Sequence, residues 1–243
     1  MSNAPIERSQ LIGPRKALVG VLTEAAAGQG SAPPMVVILN SGIIHRVGPN
    51  RLSVLLARAL ASQGHAVLRF DLSGIGDSEA RADALAPLDA ALADIREALD
   101  WAEAHLGATR FILVGLCSGA DHAVIYSGGD ARVTGLVLMD PTVPPTLRFH
   151  VRRVLGRLAD PQLWRRVLVG DAKIWARALG LRRRGGGEEM PPRGPDPGQA
   201  EVRRYLENAY RQALAESREL LAVFTDGLPA RHNYARQLRD AFP

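Results

Sequence analysis

The chain has 243 residues, 47% hydrophobic, 23% charged and 5% aromatic, which suits one large globular domain or two small ones. No apolar run approaches the length of a transmembrane helix, and the polar stretch Met1 to Pro14 does not read as a secretory signal, so a cytoplasmic setting is expected. The formal net charge is +5, and the single cysteine, Cys117, excludes an intramolecular disulfide framework and a cysteine-rich zinc site.

Short apolar runs and helical stretches alternate over the first 140 residues. Ala17 to Leu22 reads as a strand. Met35 to Leu39 (MVVIL) reads as a strand buried on both faces. A helix follows over Leu52 to Ser62, then a strand over His65 to Phe70. Leu88, Leu92, Ile95, Leu99 and Leu106 recur at helical spacing, which predicts an amphipathic helix across 85–106. Phe111 to Gly115 (FILVG) is the next strand, a helix starts just after Cys117, and Val133 to Met139 (VTGLVLM) is another strand. This alternation predicts an α/β fold with a doubly wound, mostly parallel sheet.

After Pro141 the alternation stops. Residues 142–217 read as a helical, arginine-rich insert, interrupted by Arg182–Gly187 and by a Pro/Gly-rich loop from Met190 to Gly198. Glu219 to Phe224 returns to strand character, Thr225-Asp226-Gly227 forms a turn, and a helix lies around Asn233 to Ala241. The expected division is a core of 1–141 and 218–243 with an insert of 142–217.

Gly115-Leu116-Cys117-Ser118-Gly119 falls between a strand and a helix. It has the G-x-nucleophile-x-G pattern with cysteine at the centre. A turn this tight leaves no room for side chains at the flanking positions. It presents the central residue near the positive end of the next helix, which favours a thiolate. The alternative frame, with Ser118 as nucleophile, puts Leu116 and Ala120 at the glycine positions and fits worse. Asn40-Ser41-Gly42 closes the MVVIL strand. Gly42 and Ile43 are candidates for one oxyanion donor and the backbone N–H of Ser118 for the other.

The order strand, NSG, helix, VLRFDLSGIGDS, helix, GLCSGA, strand resembles the α/β-hydrolase superfamily. With His45-Arg46-Val47-Gly48 and the G-L-C turn, the chain resembles most closely the serine-aminopeptidase-like, exosortase-associated hydrolases of bacteria. The resemblance spans roughly 15–141 and 218–243. It implies that Arg69 to Ser78 is structural, that the insert occupies the cap position, and that a small ester or thioester is the substrate.

The resemblance also calls for an acid and then a histidine after the nucleophile. Asp226 matches the acid, with Asp140 as the second candidate, although an Asp-Pro pair also closes strands as an ordinary turn. His232 is the only histidine beyond Asp226, and no further strand separates the two before Pro243. Three expectations stay open: a chain that stops short, another group serving as base, or an inactive site. His45, on the oxyanion side, is the first substitute. His122 lies about 140° around its helix from Cys117 and reads as packed or solvated.

Gly74-Ile75-Gly76 is followed by Asp77-Ser78-Glu79, so the dinucleotide pattern fails, and no P-loop occurs. No histidine has metal-ligand spacing. No cofactor and no metal are expected. From Arg148 to Arg184, ten Arg and Lys173 face Asp160 and Asp171, a local excess of nine positive charges. This block reads as a solvated face or as a site for an anionic ligand or membrane surface; no nucleic-acid motif accompanies it. Leu163 to Leu181 interleaves Trp164, Val167, Leu168, Ile174, Trp175 and Leu179 with arginine, which suits either a cap or an anionic surface. A sheet edge left open at the last strand would be covered by a partner or a second copy, giving a homo-oligomer. Two functions compete: a cysteine-dependent esterase or thioesterase, and a catalytically degenerate binding or scaffold protein of the same fold.

Overall fold

The structure is a computed structural model that describes residues 5–26, 33–159, 161, 197–225, 234 and 236–241. Its strands are β1 (Glu7–Ile12), β2 (Leu18–Thr23), β3 (Met35–Ile38), β4 (Val67–Phe70), β5 (Phe111–Leu116), β6 (Val133–Met139) and β7 (Glu219–Val223). Its helices are α1 (Leu52–Ser62), α2 (Pro87–Leu106), α3 (Ser118–Ser127), α4 (Leu147–Leu158), α5 (Pro197–Ala215) and α6 (Gln237–Ala241). The chain divides into two compact units, 1–142 with 204–227, and 143–203 with 228–243. The first seven of the nineteen residues of α5 thus group with the second unit and the rest with the first, whereas the sequence reading placed the divisions at 141 and 218.

The first unit holds a seven-stranded sheet in the order β1-β2-β4-β3-β5-β6-β7. Strands β4, β3, β5, β6 and β7 run parallel, while β2 is antiparallel to both β1 and β4. Strand β1 was not anticipated from the sequence. It is an edge strand whose residues pair with β2 but bury only Ile12, so ERSQLI lacks the continuous apolar run of an inner strand. All four residues of β3 and of β4 are buried.

The winding reverses at β3. The chain leaves β3 through α1 to β4 on one side, then passes through α2 to β5 on the other. Right-handed crossovers put α1 on one face and α2 and α3 on the opposite one. The crevice outside the carboxyl ends of β3 and β5 is therefore the switch point, where parallel sheets of this kind hold their ligands.

Helix α2 starts on Pro87 and ends at Gly107, which takes the left-handed conformation. Its buried stripe is Ala91, Ile95, Ala98, Leu99 and Ala102. Of the leucines and isoleucine expected there, only Ile95 and Leu99 are buried, and Leu106 is exposed. The small alanines let the helix approach its neighbours closely. Helix α5 begins at Pro197, so Pro197 and Gly198 are its first residues rather than the end of a loop. Pro at the first position is favourable because its missing N–H is one of the unsatisfied groups there anyway.

In the second unit Thr146 caps α4, its hydroxyl accepting from the Phe149 N–H at 3.1 Å and bonding the Tyr234 hydroxyl at 2.7 Å. The Arg148 and Arg152 guanidinium groups lie 4.9 and 5.6 Å from the Tyr234 ring centroid. The segments Arg182–Gly187 and Leu163–Leu181 lie outside the described residues. Among the described residues, no helix is long and apolar enough to cross a membrane.

Candidate active site

The turn between β5 and α3 carries Cys117 at φ 51° and ψ −117°, a conformation that side-chain-bearing residues rarely adopt. The surroundings over-determine it. The Cys117 N–H donates to Met139 O of β6 at 2.9 Å, and its carbonyl accepts from Ala120 N–H at 2.9 Å and Asp121 N–H at 3.2 Å. A Cβ on Gly115 would overlap the backbone of Gly119, and one on Gly119 would overlap the carbonyl of Asn40. Both flanking glycines are thus required by close backbone approach. The half-buried Cys117 is not in a disulfide and stands at the carboxyl end of β5, at the switch point.

The loop after β3 faces this turn. Gly42, at φ 55°, donates its N–H to the Ser118 hydroxyl at 2.7 Å. Two of the residues singled out for the oxyanion hole therefore meet, but in this arrangement a side-chain oxygen already sits on one of the donors. Ile43 is the most exposed large apolar residue among the described residues, at 90%. A pocket beside the loop is lined by Pro49, Leu52 and Leu56 with Leu116 and Met139, the residue preceding Cys117 and the last residue of β6.

What holds this loop was not legible as a site in the sequence. Asp71, fully buried at the end of β4, accepts from the Arg46 N–H at 2.6 Å, from Asn40 Nδ2 at 3.1 Å and from the Arg46 guanidinium. The same guanidinium donates to Asp77 at 2.7 Å. Asn40 in turn donates to Ile44 O at 2.7 Å and accepts from Leu72 N–H at 2.7 Å. Arg46, and after it His45, hold the Asp77 carboxyl below the usual carboxylate range. The available signal was the segment from Arg69 to Ser78, which the resemblance marks as structural and which contributes Asp71 and Asp77 to this network.

His45 belongs to that network. Its Nδ1 accepts from the Val47 N–H at 3.2 Å, and its Nε2 faces Asp71 and Asp77, each at 3.4 Å. Both ring nitrogens therefore have neighbours other than the Cys117 thiol. His45, Asp71 and Asp77 bring one potential ligand atom each within 4.8 Å of the others, a proximity the spacing did not reveal. The Arg46 guanidinium already pairs with both carboxylates, so the cluster reads as an ion-pair network rather than a built cation site.

Asp140 is buried at the end of β6 at φ 45° and accepts from the Thr225 N–H at 2.8 Å and hydroxyl at 2.6 Å. It ties the end of β6 to the residues after β7, as a strand-closing Asp can. His122 is half-buried on α3; burial lowers its pKa, opposed by Asp121. Asp121 binds the Thr142 N–H at 2.9 Å and hydroxyl at 2.6 Å. Asp226 and His232 lie outside the described residues.

Comparison with known proteins agrees with this fold. Residues 35–180 match the family model described as alpha/beta hydrolase fold. A solved structure of a hypothetical protein from Pseudomonas aeruginosa is similar at 17% identity and a TM-score of 0.53, covering 96% of this chain and 90% of that one. An esterase from Pyrococcus furiosus is similar at 14% identity and a TM-score of 0.54, covering 92% of this chain and 82% of that one. No curated protein matches in sequence. At these identities the two structures speak for the fold.

Proposed function

The chain belongs to the α/β-hydrolase fold family, and on that premise we propose that it hydrolyses a small ester or thioester with Cys117 as nucleophile. The observation that carries the reading is the Cys117 backbone, held at positive φ between two glycines that have no room for a Cβ. Strain of this kind persists only where its surroundings enforce it, and here it presents a nucleophilic side chain at the sheet's switch point.

In the proposed reaction the Cys117 thiolate attacks the acyl carbon and the carbonyl π electrons move onto oxygen. The Ser118 N–H and the N–H of Gly42 or Ile43 stabilise that oxyanion. Collapse expels the alcohol or thiol, which takes up a proton, and leaves an acyl-cysteine. Water then attacks the acyl carbon, releases the acid and restores the thiol. Ser118 Oγ sits 2.7 Å from the Gly42 N–H, a distance suited to an oxyanion, and the substrate oxygen would displace it. The apolar wall formed by Leu52, Leu56, Leu116 and Met139 suits the acyl chain. Asp226 and His232 serve this reading as acid and base. An ordinary thiol is already a few per cent thiolate near neutral pH, so cysteine depends less on a base than serine does.

A second reading, a non-catalytic binding domain of the same fold, draws support from the same loop. The Gly42 donor is satisfied internally and His45 is committed to the Asp71–Asp77 pair. The test is turnover of p-nitrophenyl acetate and of an acyl thioester by the wild type and Cys117→Ala. The hydrolase reading expects loss of all turnover above background in the variant. Equal rates would transfer the assignment to the binding domain.

A further inference from the structure

Helix α4 carries an exposed apolar stripe. Leu147, Val151, Val154 and Leu155 are 82%, 49%, 56% and 57% exposed. They fall at i, i+4, i+7 and i+8, on one face of a helix that turns about 100° per residue. Phe149, on the opposite face, is the one buried side chain among residues 147–156. A helix of about three turns is marginal alone, and one anchor is little packing for it. The stripe is thus a surface that expects an occupant.

The charges select the occupant. Arg148 and Arg152 lie over the Tyr234 ring on one flank of the stripe, with Arg148 also 3.9 Å from Asp240, and Arg153 is exposed on the other. Residues 143–159 contain four arginines and no acidic residue. A second copy docked stripe to stripe would bring arginine against arginine. Residues 162–184 carry six Arg and Lys173 against Asp171 alone, so the sequence after α4 adds to the same positive excess. An occupant that is apolar in depth and anionic at its rim satisfies both features, and an anionic lipid surface has that profile.

We propose that the Leu147–Val151–Val154–Leu155 face of α4 seats on an anionic membrane surface, with the flanking arginines at the phosphate level. Arginine stems lie along apolar surface while the guanidinium stays in the polar layer, so residues at both flanks reach headgroups as the stripe enters the acyl boundary. This surface is independent of Cys117 and of the hydrolytic reading.

The test is co-sedimentation of the full chain with phosphatidylcholine–phosphatidylglycerol vesicles and with phosphatidylcholine vesicles alone. Val151→Asp with Leu155→Asp replaces exposed side chains, and circular dichroism checks that the fold persists. Leu55→Asp, at an equally exposed site on α1, is the control. We expect binding to the anionic vesicles only, a loss of roughly tenfold or more in the double variant, a smaller loss in Arg153→Glu, and no loss in the control. Absence of binding to anionic vesicles overturns the proposal. So does binding that the double variant retains, which would assign it to diffuse basic charge. A wild-type dimer that the double variant dissolves would assign the face to a second copy, and capture of an acidic protein in preference to vesicles would assign it to a protein partner.

Discussion

The turn after β5 and the loop after β3 meet at the same edge of the sheet but are held by opposite means. The turn is held by the absence of side chains: Gly115 and Gly119 let backbone lie on backbone, and no charged group is involved. The loop is held by charge, through a buried carboxylate that gathers donors from Arg46 and Asn40. A fit of bare backbones has no substitute in chemistry. An ion-pair network can be dismantled in steps and, in part, repaired.

The largest effect is therefore expected at the turn. Gly119→Val drives a side chain into the Asn40 carbonyl and should cost roughly 3 kcal/mol or more of stability, read by urea denaturation. A variant as stable as the wild type would break the contrast at its strongest point. The loop should fail next. Asp71→Asn keeps the shape but leaves Arg46 with only the exposed Asp77 as its acidic partner, a loss of about 3 kcal/mol. Adding Arg46→Met removes the stranded charge and should recover part of that loss, whereas no comparable second change should repair Gly119→Val.

A smaller effect separates charge from shape at the other end of the sheet. Burial alone would raise the Asp130 carboxyl, but hydrogen bonds from Arg132 and Tyr126 overturn this and bring it down to about 2. Because the folded value lies below the unfolded one, the contribution is complete above about pH 5 and is lost progressively as pH falls through the folded value of about 2. Asp130→Asn should flatten the wild-type stability curve across that window. An unchanged slope would mean that the Asp130–Arg132–Tyr126 cluster contributes shape alone. The smallest effect concerns the place where turn and loop touch. Ser118→Ala frees the Gly42 N–H and, if the hydrolase reading holds, should raise kcat/KM by a factor of about two to ten. A fall of that size would mean that the Ser118 hydroxyl assists the oxyanion instead of occupying its donor.

The same contrast explains what could be read from the sequence. MVVIL, FILVG and VTGLVLM are inner strands, and burial on both faces forces a continuous apolar run that stands out against its neighbours. The glycines at 115 and 119 were legible because a local turn demands them within five residues. Strand β1 was not, because its pairing with β2 is a backbone matter and its side chains, Ile12 apart, are exposed or half-buried. The role of Asp71 was not either. Its partners Arg46 and Asn40 lie 25 and 31 residues away, and no spacing rule reaches across two strands. Gly42 and Ser118 were both chosen as oxyanion donors, yet their contact joins positions 76 apart and rests on a hydroxyl rather than on the backbone the motif describes.

The central claim is that the strained turn exists to present a reactive thiol to an acyl group. Its most direct test is intact-mass analysis of the folded chain after brief exposure to p-nitrophenyl acetate, with peptide mapping of any adduct. The account predicts one acetyl group per chain, on Cys117, that decays on standing and is absent from Cys117→Ala. A wild-type chain that releases no p-nitrophenol above background and carries no acyl group on Cys117 would contradict it.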